Sequence, residues 1–347
     1  MVMPGLTKTN ALERQQILVE RLQKRTTEPQ TLRLQAEVSL SSQPPQPTAA
    51  EHPGSSYYPF PKYLVATNSI WHIDGLAVYP TRVTYVYPQV SGQTFPVIAV
   101  SPGKFLDHPT AYAELLLHIC RKGYIVLFVD TDTGPLDCEH SRMAGEFLEA
   151  VSKTISQRLR TRAKRVNGQV QIAWWGHSMG AKVQAIAAQM LKNRYYLQPT
   201  AIIANNFSNF NGEFCSDNAL TTAKNIPANI RYSIIKGDID DVAMADPSAL
   251  YQALPQLQYR QLITIVSYIE DELKADHFAP LTDWGFPVGG KVDALDWWLY
   301  WKIAVGAFDF HFKDGSEKWA YGSERENGGV DLQGRQLKHI VEAESGI

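Results

Sequence analysis

The sequence predicts an α/β protein, a doubly wound and mostly parallel sheet with helices on both faces, and three observations carry that prediction. Short apolar runs, among them Pro96 to Val100, Tyr124 to Asp130 and Ala201 to Ala204, alternate with longer helix-forming segments, the spacing of parallel βαβ units. The runs are continuously apolar, as strands covered on two faces must be. Between them lies Gln171-Ile172-Ala173-Trp174-Trp175-Gly176-His177-Ser178-Met179-Gly180-Ala181, an apolar strand that breaks through Gly-His-Ser-Met-Gly into a helix former.

The elements follow in chain order. Asn10-Ala11-Leu12-Glu13 has the form of a capping box before Ile17, Leu18 and Leu22, which predicts a short amphipathic helix. Residues 39 to 61 are rich in Pro, Ser, Gln and Ala and read as a linker or extended surface strap. The division expected is therefore residues 1–61 as helix plus strap, and 62–347 as one catalytic α/β domain with a C-terminal helical extension. Tyr79 to Tyr87 alternates like an antiparallel edge strand. After the strand at 96–100 come a helix from Thr110 to Lys122 stopped at Gly123, the strand at 124–130, and a helix from Ser141 to about Arg162. Val170 to Trp175 is a strand, Met179 to Leu191 a helix, and Ala201–Ala204, Tyr232–Ile235 and Leu262–Tyr268 are further strands. Asp293 to Ala304 reads as an aspartate-capped helix apolar on nearly every side, hence buried.

The Gly-His-Ser-Met-Gly turn is where chemistry is expected. A serine on a strand-to-helix turn projects its hydroxyl above the sheet, and the turn is too tight for side chains at Gly176 and Gly180. The N–H of Met179, at the helix start, points where negative charge would build on an attacked carbonyl oxygen. Such a serine needs a base, and the base a carboxylate. In chain order after Ser178, the loop Lys236-Gly237-Asp238-Ile239-Asp240-Asp241 offers three acids at a strand's carboxyl end, and Asp276-His277 follows the next strand. His277 is the base in that order. His311 lies beyond a long helical run, and spacing alone leaves Asp238, Asp240 and Asp241 open.

These residues carry a resemblance. Val-Ser-Pro-Gly at 100–103, Gly-His-Ser-Met-Gly at 176–180, Gly-Asp-Ile-Asp-Asp-Val-Ala at 237–243 and Asp-His-Phe-Ala-Pro at 276–280 resemble the bacterial cutinase and polyester-hydrolase group of α/β-hydrolases, related to dienelactone hydrolases and platelet-activating-factor acetylhydrolases. The similarity runs from about residue 95 to 280. It implies the α/β-hydrolase fold, Asp240 as the acid, an oxyanion hole of the Lys104 and Met179 backbone N–H groups, and turnover of small-molecule carboxylic esters through an acyl-enzyme. Relatives with the same triad that transfer acyl groups or cleave amides or thioesters, and a non-catalytic binding protein of this fold, are the alternatives. The group usually has an aromatic residue where Lys104 stands and a tryptophan-bearing wall where this chain has Asn205-Asn206-Phe207; Phe105 and Phe207 are the candidates to restore that surface, or else are core. The intervals from Ser178 to Asp240 and from Asp240 to His277 are short, which predicts an open cleft without a helical cap unless the strap or tail narrows it.

Composition excludes other classes. With 44% hydrophobic residues in 347, the chain can bury one large core, and its net charge of −2 gives no electrostatic footprint for nucleic acid. The three cysteines, Cys120, Cys138 and Cys215, form no disulfide framework. No apolar run is long enough to span a bilayer and no secretory leader precedes residue 25, so a cytoplasmic protein is expected, with secretion possible had a leader been removed. The start of a calcium loop at Asp130 has its glycine one place early, Asp137-Cys138-Glu139-His140 has no second ligand cluster, and dinucleotide and phosphate-loop fingerprints are missing. No metal and no cofactor are implied.

Overall fold

The computed structural model describes residues 43–74, 77–106, 108–131, 139–193, 197–209, 218–243, 246–282 and 290–345; the helix expected around Asn10 lies outside them. Among the described residues nine strands form one sheet: β1 (Tyr63–Asp74), β2 (Ala77–Pro88), β3 (Val97–Ser101), β4 (Ile125–Asp130), β5 (Ile172–His177), β6 (Ala201–Asn205), β7 (Arg231–Gly237), β8 (Tyr259–Ile265) and β9 (Ile340–Ser345). Their spatial order is β1-β2-β4-β3-β5-β6-β7-β8-β9. The six central strands from β4 to β8 run parallel, whereas β1, β2 and β9 are antiparallel additions at the two edges. The architecture is α/β, with a mostly parallel sheet.

Strand pleating sends alternate side chains to opposite faces, and β5 shows the result: Trp174 joins one apolar core and Trp175 the other, both wholly buried. Helices α2 (His140–Gln157), α3 (Met179–Gln189) and α4 (Asp246–Gln252) cover the first face with Phe147, Ile186 and Leu250; α1 (Ala113–Arg121) and α5 (Trp301–Phe312) cover the second with Leu116, Ile119 and Phe308. The C-terminal helical run begins with a π turn over Asp296–Tyr300. Asp293 Oδ1 accepts the Leu295 N–H and Asp296 Oδ2 accepts the Asp293 N–H, 2.9 and 3.0 Å, a reciprocal cap built from two aspartates.

Three expectations need correction. The Tyr79–Tyr87 strand is not the edge, because β1 pairs outside it along twelve residues. β1 exposes Leu64, Val65 and Trp71 while burying Ile70 and His72, so its apolar residues fall on both sides and carry no clean period. The C-terminal extension, expected as helical, also supplies a strand, β9 along β8. The helix from residue 141 stops at Gln157, not Arg162.

The strap is docked along its described length. Trp297 and Trp298 donate their indole N–H groups to the Pro44 and Pro45 carbonyls, and the His52 ring meets Trp298 and Trp319 edge-on at 4.8 and 4.7 Å. His118 Nε2 donates to the Pro53 carbonyl at 2.9 Å, and the Lys122 ammonium to Ser55 Oγ and the Tyr57 carbonyl, both at 2.8 Å. Phe60 then packs on Phe95 near the start of β3. These contacts fasten the strap to α1 and the C-terminal helical run. Between Ser178 and Asp240 the described residues form α3, two short 3₁₀ turns, β6 and β7, with no cap helix. Among the described residues no helix is long and apolar enough to cross a membrane.

Candidate active site

Ser178 stands between β5 and α3 with φ 53 and ψ −120, a backbone region that L residues seldom occupy. Two glycines allow it. A Cβ on Gly176 would come within 2.7 Å of the Ala181 Cα, and one on Gly180 within 2.1 Å of the Ser101 carbonyl oxygen and 2.4 Å of that of Pro102. The first glycine thus lets strand meet helix, and the second lets the helix meet the loop after β3.

The turn delivers the Ser178 hydroxyl to His277, whose Nε2 lies 2.8 Å from Oγ. On its other side, His277 Nδ1 lies 3.0 Å from both Asp240 oxygens. An ionised carboxylate can only accept, so Nδ1 carries the proton and Nε2 accepts from the serine. Burial acts to raise the Asp240 carboxyl, but the hydrogen bond and charge of His277 and the Ala243 and Val242 N–H groups outweigh it and hold the carboxyl below its ordinary value. The other two acids go elsewhere: Asp238 accepts from the Ser267 N–H and hydroxyl, and Asp241 is exposed. His311 faces Tyr321, at 3.5 Å.

The loop after β3 turns at Gly103-Lys104-Phe105-Leu106, closed by the Leu106 N–H on the Gly103 carbonyl, with Phe105 at φ 65 as position three of a type II turn requires. A Cβ on Gly103 would lie 3.3 Å from the Ser178 Cβ, so the Gly103–Lys104 peptide runs directly beside the serine. Met179 opens α3, where N–H groups have no partner within the helix. Phe105 is half-buried beside the Lys104 ammonium. Phe207 is wholly buried in the first core, and as a substrate wall it is therefore corrected to a core residue.

Three residues that the sequence did not single out complete the site. His177, Tyr112 and Asn206 are each fully buried and each holds one of the loops just described. Asn206 takes φ 47 just past β6, a conformation asparagine tolerates, and the doublet Asn205-Asn206 after an apolar strand was its only sequence signal. Tyr112 had none.

Chemically, a serine, imidazole and carboxylate in one hydrogen-bonded line can pass the serine proton to the imidazole while the carboxylate stabilises the resulting cation. Among the described residues no group of three His, Cys, Asp or Glu side chains is placed to hold a metal ion. No protein-family model matches the sequence and no curated protein matches it, so the reading of this site rests on its own geometry.

Proposed function

We propose that the protein is a serine hydrolase of carboxylic esters with the α/β-hydrolase fold. The observation that carries this is the line Ser178 Oγ, His277 Nε2, His277 Nδ1, Asp240, with steps of 2.8 and 3.0 Å. It is supported by the strained serine turn between a parallel strand and a helix, and by the chain order Ser, Asp, His. Ser178 Oγ bonds to the acyl carbon as its proton passes to His277 Nε2, and the carbonyl electron pair moves onto oxygen beside the Met179 and Lys104 N–H groups. Collapse expels the alcohol, which takes the proton from His277. Water then attacks the acyl-enzyme, giving its proton to His277; the acid leaves and the proton returns to Ser178.

The test is labelling by a fluorophosphonate and turnover of a short aryl ester, with and without Ser178→Ala. Wild type is expected to label at Ser178 and turn over, and Ser178→Ala to lose at least about 10³ in kcat, as does a combined Ser178→Ala/His277→Ala variant, because the line acts as one unit. A wild type that neither labels nor turns over any ester makes the protein a binding module instead.

A further inference from the structure

We propose that Tyr112, His177 and Asn206 are positioning residues: one buried hydrogen-bonded chain through them holds in register the three loops that present the oxyanion-side peptide, the base and the acid. The inference rests on the ester-hydrolase reading for its kinetic consequence, but not for its structure. Its fixed point is the His277 carbonyl, which accepts from His177 Nε2 at 2.7 Å and from Asn206 Nδ2 at 3.0 Å.

A carbonyl can only accept, so His177 Nε2 carries the proton and its Nδ1 is a bare acceptor. Tyr112, whose oxygen lies 2.8 Å from Nδ1, must then donate to it. That leaves the Tyr112 oxygen to accept the Gly103 N–H, at 2.9 Å. On the other arm the Asn206 amide also donates to the Asp276 carbonyl at 3.0 Å, and its oxygen accepts the Gly237 N–H at 3.1 Å. The chain therefore runs from Gly103, one residue before Lys104, through the main chain of the base itself to Gly237, three residues before Asp240. That one carbonyl fixes the His177 tautomer and, through it, the direction of the Tyr112 hydroxyl.

The contacts leave little slack. A Cβ on Gly103 would meet His177 Nδ1 at 2.9 Å, and one on Gly237 would meet the Ala275 carbonyl oxygen at 1.7 Å. The His177 ring also lies against that of the base, with centroids 5.1 Å apart, so it must stay neutral when His277 becomes a cation. Burial, and next the charge of His277, push the His177 imidazole down to about 3; burial likewise holds the Tyr112 proton well above its ordinary phenol value. Both groups thus keep one protonation state while His277 exchanges its proton.

The experiment pairs NMR of ¹⁵N-histidine-labelled protein with kinetics of Tyr112→Phe, His177→Phe and His177→Gln on a short aryl acetate. The His177 ring is expected in the Nε2-protonated tautomer from about pH 6 to 9; an Nδ1-protonated ring overturns the chain whatever the protein catalyses. Tyr112→Phe keeps the ring in place and is expected to lower kcat about 10- to 100-fold with KM within about threefold, since misplacement of a reacting group by about 1 Å costs that much. His177→Phe loses both arms and falls at least as far, whereas His177→Gln, which keeps a donor and an acceptor, recovers most of kcat at equal folded fraction by near-UV circular dichroism. If wild type is active and Tyr112→Phe retains its kcat, or if His177→Gln is no better than His177→Phe, the positioning role is wrong while the hydrolase reading stands. A wild type inert to ester and fluorophosphonate sinks both.

Discussion

Ser178 keeps a backbone conformation that costs a non-glycine residue about 1–3 kcal/mol, and the surrounding packing must over-determine it. Gly180 is the tightest of those contacts, because its absent side chain is where the Ser101 and Pro102 carbonyl oxygens lie. Gly180→Ala is expected to push α3 off the loop after β3, destabilising the fold by about 2–3 kcal/mol and abolishing turnover; a urea midpoint within error of wild type would show that the loop gives way freely. The neighbouring acids make a second contrast. Asp240→Asn should lower kcat by about 10⁴ by favouring the wrong His277 tautomer, while Asp238→Asn, whose carboxylate serves only Ser267 among the contacts described, should stay within about tenfold. The reverse ranking would move the acid role. At this scale Ser178 and His277 were legible because motif and chain order select them, whereas spacing left three aspartates within four positions open and only the resemblance pointed to Asp240. In the fold it is Asp240 that meets His277 Nδ1, with the Val242 and Ala243 N–H groups fixing its carboxylate.

Among the elements, the strap shows how a segment without secondary structure becomes part of a fold. Its Pro-, Ser- and Gln-rich composition predicts no core of its own, and it has none: its order comes from α1 and the C-terminal helical run. Lys122 is the central clamp, a residue only 5% exposed whose ammonium donates to Ser55 and Tyr57. Lys122→Met should cost about 2 kcal/mol, the worth of charged hydrogen bonds to groups left buried, and should speed chymotryptic cleavage after Tyr57. Unchanged cleavage with unchanged stability would mean that the tryptophan and proline contacts hold the strap alone. The contacts described run down the helical face, so the strap braces the fold; a gating role, allowed by composition, has no contact here to carry it. β1 and β9 illustrate the opposite limit. Each is an edge strand, paired on one side alone, and in β1 exposed and buried apolar residues fall on both faces, so the hydrophobic period that reveals central strands is weak there.

The whole molecule carries an acid sensitivity that follows from its buried imidazoles. His52, His118 and His177 are held down to about 3, His311 to about 4 and His339 well below its ordinary value, in each case chiefly by burial. A histidine whose folded value lies below its unfolded one takes up a proton on unfolding, so its stabilisation is complete above about pH 6.5 and is lost as pH falls towards the folded value. Five carboxyls, Glu114, Asp246, Asp276, Asp293 and Asp296, are raised chiefly by burial and work in the opposite direction, but only Asp293, pushed up to about 7, and Asp296, well above its ordinary value, carry large shifts, whereas all five imidazoles pass their unfolded value of about 6.5 between pH 7 and 5. Tm is therefore expected to fall as pH is lowered from about 7 to 5, each net proton contributing about 1.4 kcal/mol per pH unit, and His118→Gln should lessen the slope. A Tm that is flat or rises on acidification would contradict the burial of these rings.

The amino-acid order was enough for the central parallel strands, most of the helices between them, and the turn that carries Ser178, because each depends on contacts within a few residues: apolar continuity, glycine next to serine, a helix stop at Gly123. What required the folded chain is of a different kind. The contact of Asp240 with His277, the burial of Phe207, the docking of residues 43–60 and the chain from Gly103 through Tyr112, His177 and Asn206 to Gly237 all join residues far apart in sequence. A hydrogen bond between such residues leaves no periodic trace, since its partners are chosen by where the sheet brings the strand ends together and not by spacing along the chain.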